Sequence, residues 1–157
     1  MAAKKTKRAS DKFQKVTKRE AGKNYNDKRP IWTFDKLDLS DSFSFTAHKL
    51  KTDNNFETVF TKMLEYSQMT WAEIARQTHD NGSSKHHYLS DESKFSKEAF
   101  ESINVLGLSE QSDQIYSFAL TNKLRIIGIR NNEYFQVVWY DPDHRFYLLP
   151  TTHNVVQ

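Results

Sequence analysis

The chain has 157 residues, with 23 Lys and Arg against 20 Asp and Glu, no cysteine, and 13% aromatic side chains. That length suits one domain with an appendage, and the missing cysteine excludes both a disulfide-stapled scaffold and a thiolate zinc site. No apolar run approaches the roughly 18 residues of a membrane span, and the N-terminus carries no secretory apolar block, so a cytoplasmic protein without a membrane partner is expected.

The charge is unevenly placed. Residues 1–30 hold 11 basic and 3 acidic side chains, a surplus of +8, whereas residues 31–157 hold 12 basic and 17 acidic ones, a balance of −5. The sequence pI near 9.0 therefore belongs to the first thirty residues. A polyanion site in the remainder has to be a local patch, because the overall field there repels phosphates.

In chain order, residues 1–30 offer only Phe13, Val16 and Tyr25 as sizeable apolar groups and read as a disordered basic arm. Such an arm either solubilises the chain or grips nucleic acid or ribosome through salt-sensitive phosphate contacts. The domain is expected over residues 31–150. Ile31-Trp32-Thr33-Phe34 and the alternating Ser42-Phe43-Ser44-Phe45-Thr46 predict an N-terminal hairpin. Phe56, Val59, Phe60, Met63 and Leu64 recur at helical spacing, and the helix ends near Ser67-Gln68. A second helix starts at Thr70, where Thr70 and Glu73 form a capping box ahead of Trp71, Ile74 and Ala75.

Asp80-Asn81-Gly82-Ser83-Ser84 reads as a turn, and a third helix is expected over 95–105 with Phe95, Ala99 and Ile103 on one face. Strands follow at 114–120, 123–130 and 133–140, the last two joined by an Asn131-Asn132 turn that pairs Arg130 with Glu133. That register puts Leu124, Ile126 and Gly128 with Phe135, Val137 and Trp139, and leaves a mixed opposite face. Asp141-Pro142-Asp143-His144 is a reverse turn before a final strand over 145–149, and residues 151–157 form a C-terminal tail. The expected fold is α+β: the hairpin and two or three helices packed on a C-terminal antiparallel sheet of about four strands.

Chemistry is concentrated on the last strands. Lys123, Arg125 and Arg130 share one strand, Tyr134 and Tyr140 the next, and His144, Arg145 and Tyr147 lie beyond the turn. Cations on a sheet face hold phosphates and oppose the charge of a pentavalent transition state, while His or Tyr exchanges protons with a ribose 2′-hydroxyl and the leaving oxygen. A solvated strand face bearing Arg and Tyr is the plain alternative. Lys85-His86-His87 is a second candidate: adjacent histidines on a strand point to opposite sides, so the pair does not chelate one metal, but one ring can reach the sheet as acid, base or stacking group. Turn chemistry accounts for Asp141 and Pro142 without a metal, and phosphate-loop, dinucleotide and nucleophile-elbow motifs are missing, so no metal or cofactor is expected.

The strands Ser117-Phe118-Ala119-Leu120, Lys-Leu-Arg-Ile-Ile-Gly-Ile-Arg at 123–130, Tyr134-Phe135 and Trp-Tyr-Asp-Pro-Asp-His at 139–144 resemble the C-terminal signature of a family of small, mostly uncharacterised bacterial and phage proteins. The upstream Trp-Thr-Phe, Phe-Ser-Phe and Thr-Trp-x-Glu-Ile segments resemble it too. More distantly, helices followed by an antiparallel sheet with Arg, His and Tyr on its last strands is similar to the RelE/YoeB class of toxins. That resemblance implies an RNA-directed endoribonuclease, a toxin or phage-defence component working without metal. Its partners are then RNA or the ribosome, and a cognate antitoxin or a host protein. Arg125, His144, Tyr147 and His86 are the expected catalytic groups. Lys123, Arg130, Tyr134, Tyr140, Arg145, Lys85 and His87 are the expected RNA contacts. A non-catalytic binding module and an inhibitor of a host protein remain open as readings of the same residues.

Overall fold

A computed structural model describes residues 25–39 and 42–148. The basic arm as far as residue 24 and the tail from residue 149 lie outside the described residues. Residues 25–30, expected in the arm, instead dock on the domain: Tyr25–Asp27 forms a 3-10 turn, Pro30 is buried, and the Lys28 carbonyl accepts the Trp71 amide at 2.9 Å.

Five strands make one mixed sheet: β1 (Ile31–Thr33), β2 (His87–Tyr88), β3 (Ile115–Ala119), β4 (Arg125–Asn131) and β5 (Tyr134–Asp141), in the order β1-β5-β4-β3-β2. The helices are α1 (Ala47–Thr52), α2 (Phe56–Ser67), α3 (Trp71–Ala75) and α4 (Lys97–Val105). The fold is α+β, as expected, with one strand more. The expected N-terminal hairpin does not form. β1 runs parallel to β5 with Trp32 opposite Phe135, and the following chain tracks the same strand, Asp38 donating to the Val138 carbonyl and Phe43 accepting from the Tyr140 amide. The Phe-Ser-Phe alternation serves that edge as irregular chain, with Phe43 buried against Phe146.

The capping box at Thr70 and Glu73 is present, and it aims Trp71 and Ile74 into the core. In α2 the buried positions are Val59 and Tyr66, while Phe56, Phe60 and Leu64 face outward, so the helix is turned relative to the stripe read from its sequence. Helices cover both faces of the sheet. One core gathers Val59, Tyr66, Trp71 and Ile74 with Phe118, Ile126 and Phe135; the other gathers Ala99 and Ile103 with Ile115, Ile127, Ile129 and Trp139. Burial on both sides explains why β3 and the first half of β4 read as nearly continuous apolar runs.

The β4–β5 register also differs from expectation. Asn131 pairs with Tyr134, and Asn132, at φ 61°, opens the turn. The ladder then shifts between Ile127 and Gly128, so Gly128 pairs with Val137 and Ile127 with Trp139. A β-bulge of this kind inserts one residue and reverses the facing of everything beyond it. Trp139 accordingly joins the second core and Tyr140 the first. Gly128 permits the close approach: a Cβ there overlaps the Gln136 carbonyl. The final strand expected over 145–149 is reduced, in its described part, to an antiparallel bridge between Tyr147 and Phe95, away from the sheet.

Candidate functional site

At the first residue of β4 the second face of the sheet opens into a cleft of about 720 Å³, walled by residues from 79–89, 117–127 and 141–148. Arg125 lies at its floor, 8% exposed, opposite Asp141 on β5 and Ala119 on β3. Its Nη1 donates to the Thr121 and Leu124 carbonyls at 2.7 and 3.1 Å. Nε and Nη2 find no hydrogen-bond partner among the described residues. Burial holds the guanidinium below its ordinary pKa, with Asp141 acting in the opposite direction.

Asp141 is 1% exposed and accepts the amides of Arg145 and Phe146 at 2.9 and 2.8 Å, which fixes the turn. Burial raises its pKa, and those two amides oppose the rise. The turn places His144 at φ 57°, in the left-handed region, with Nδ1 sealed from solvent and without a partner of hydrogen-bond geometry. Burial and then the Arg125 charge push the His144 pKa down.

His87 bonds the Tyr88 carbonyl through Nδ1 at 3.0 Å; a carbonyl only accepts, so the proton sits on Nδ1 and Nε2 is the open nitrogen. Tyr147 accepts the Asp91 amide at 3.0 Å, with its ring against Phe95 and beneath Lys94. Lys85 and His79 complete this wall, and burial followed by the charges of Arg125 and Lys85 lowers the His79 pKa.

Five of the residues singled out in the sequence thus share the cleft: Lys85, His87, Arg125, His144 and Tyr147. The others lie elsewhere. His86, expected to be catalytic, points into the opposite core, where Nδ1 accepts the Ala119 amide at 3.0 Å and Nε2 donates to Gln77 at 2.8 Å. Burial pushes its pKa down to about 3. Arg130 lies 3.9 Å over the Trp71 ring and donates to the Asn132 carbonyl, a packing role on the first core. Tyr140 is buried and donates to Asp53 at 2.8 Å. Tyr134 is exposed at the far end of the β4–β5 ribbon, and Lys123 and Arg145 are exposed outside the cleft walls.

Sequence reasoning missed His79, Lys94 and Asn122. The available signal for His79 was its place just before the Asp80–Ser84 turn, which closes through His79 donating to the Ser83 carbonyl and Gly82 donating to the His79 carbonyl. Among the described residues no three His, Asp or Glu side chains converge as a metal set, and no helix is long and apolar enough to cross a membrane.

No curated protein and no solved structure matches the chain. One family does match, over residues 33–154, and it is an uncharacterised one, as expected; the match bears on neither the strand signature nor the likeness to RelE. With that match spanning most of its length, the chain belongs to the family described as uncharacterised protein UU032.

Proposed function

We propose that the cleft cleaves RNA phosphodiesters by general acid–base chemistry, as a RelE-like endoribonuclease. The observation that supports this reading is the convergence of Lys85, His87, Arg125, His144 and Tyr147, from three separated segments, on one recess. Arg125, through Nε and Nη2, and Lys85 hold the non-bridging oxygens and stabilise the charge that develops on them. His144, kept neutral by burial and by Arg125, takes the 2′-hydroxyl proton. The 2′-oxygen bonds to phosphorus as the bond to the 5′-oxygen breaks, and protonated His87 supplies the proton that the departing oxygen needs. Tyr147 orients the ribose. The products are a 2′,3′-cyclic phosphate and a 5′-hydroxyl. The reading carries a role as toxin or phage-defence component, with RNA or the ribosome as target and a neutralising protein as partner.

Incubating the purified chain with single-stranded RNA in the presence of a chelator tests this. Cleavage to cyclic-phosphate ends, abolished by Arg125→Ala with the circular dichroism spectrum unchanged, is the expected result. RNA left intact both with and without ribosomes overturns it. The +8 surplus of residues 1–30 favours a second reading, a nucleic-acid-binding module that works without the cleft. Deleting residues 1–24 separates the two: a module loses its RNA affinity, whereas a cleft enzyme keeps its bond-breaking step.

A further inference from the structure

Resting on the ribonuclease reading, we infer that the cleft is a seat for a terminal phosphomonoester dianion, held by Arg125 and Lys85 between the imidazoles of His87 and His144.

The charge inventory of the walls carries the first step. Lys85, Lys94 and Arg125 line the cleft, and Asp141 is the sole carboxylate among the lining residues. Asp141, 1% exposed with both oxygens bonded by backbone amides, offsets one of these three charges and leaves the wall net positive. The surplus of positive charge sits in a domain whose overall balance is −5. It is a local feature, in the position where a ligand's charge completes it.

Geometry supplies the second step. Arg125 is anchored by Nη1 to two carbonyls, so its planar group is already oriented, with Nε and Nη2 left over. Those two N–H groups present the paired donors that match two oxygens of a tetrahedral anion. The His79 and His144 imidazoles are pressed toward their neutral forms by burial and by Arg125. A dianion beside them relieves that pressure and recruits protons, so binding and protonation are linked.

Depth supplies the third step. Ser117 and Arg125 at the floor are 4% and 8% exposed, and a volume of about 720 Å³ admits a nucleotide or two. A phosphate at a strand end brings a second negative charge to the cations there, where a phosphodiester within a chain brings one. The end is either 3′- or 5′-phosphorylated; the chemistry at the floor is the same.

Sulfate, which stays a dianion across the pH range of interest, is the first probe. Titrated into the full chain and followed by the histidine ring resonances, it should shift His79, His87 and His144 saturably and leave His86 and His48 in place. Affinity should rise several-fold between pH 7.5 and 6.0. Lys85→Ala should weaken it about tenfold, and Arg125→Lys, which keeps the cation but removes the fork, by a similar factor. Dinucleotides ending in a 3′-phosphate or a 5′-phosphate should displace sulfate better than the hydroxyl-ended dinucleotide, and the tighter of the two identifies the end. Absence of ring shifts, or equal displacement by phosphate-ended and hydroxyl-ended dinucleotides, overturns the inference. Sulfate binding without RNA cleavage overturns only the ribonuclease reading, and RNA cleavage without ring shifts overturns only the anion seat.

Discussion

His86 and His87 are neighbours in the chain and belong to opposite layers of the protein: His86 accepts the Ala119 amide inside the core beneath α2, while His87 opens toward the cleft on the other face of the sheet. Their protonation therefore has separate consequences, one for stability and one for chemistry.

The His86 consequence is acid sensitivity. Its folded pKa, about 3, lies below the ordinary imidazole value of 6.5, so the unfolded chain binds the proton more readily. Stability is complete above pH 6.5 and falls as pH drops toward 3, by up to about 1.4 kcal/mol per pH unit. His79 and His144 act in the same direction, whereas Asp141, raised by burial, acts oppositely as pH climbs through its own range. Urea unfolding of the chain and of His86→Asn across pH 4 to 7 isolates the term. The variant should be less stable at pH 7 and show a flatter pH dependence; identical slopes would remove His86 as the cause.

Under the proposed RNA cleavage, the lowered His144 pKa sets the shape expected of the activity profile. A base that stays unprotonated below pH 6.5 keeps the acid limb of kcat/KM at lower pH than a free imidazole gives. Measuring RNA cleavage from pH 4.5 to 8 checks it. A limb at or above 6.5 speaks against His144 as the base.

Gly128 offers a test of the ladder. Gly128→Ala forces a methyl into the Gln136 carbonyl, and because backbone cannot step aside cheaply the expected loss is about 3 kcal/mol or more. Thermal melting reads this directly. A change within about 0.5 kcal/mol, the range of an innocuous surface substitution, would mean that the β4–β5 approach is wider than described.

Arg130 is expected to matter for stability and not for RNA. Removing a guanidinium 3.9 Å from the Trp71 ring should cost about 1–2 kcal/mol. Arg130→Ala should leave the cleavage rate within about twofold, a shift well under the 1.4 kcal/mol of a tenfold effect. A tenfold loss of rate in a folded variant would restore Arg130 to the RNA contacts suggested by the sequence.

What was legible in the sequence followed from local rules. The capping box at Thr70, the helix ending at Ser67, and the opposed directions of His86 and His87 all depend on neighbours within four residues. The parallel pairing of β1 with β5 is a contact across a hundred residues, with no turn chemistry to announce it. The bulge opposite Gly128 is invisible to a count by twos, and it moved Trp139 and Tyr140 to faces opposite those expected. Arg125 and Tyr140 share the mixed face in the expected register, and the bulge parts them; Arg130, five residues beyond Arg125, faces the other way by alternation alone. With helices on both sides, the sheet opens into the cleft at its Arg125 end, and five of the candidates gather there.

β2 consists of two residues, and it is the edge strand that delivers His87 to the cleft. So small a ladder, with His87 opposite Ser117 and Tyr88 opposite Tyr116, is expected to open at lower free energy than the sheet behind it. This part of the cleft wall is thus expected to open more readily than the sheet, and a ligand seated against it would favour closure of that edge. The Leu89 amide, bonded to the Ile115 carbonyl at 2.8 Å, is the natural reporter: its hydrogen exchange slows as the cleft fills, while amides of the deep core keep their rates.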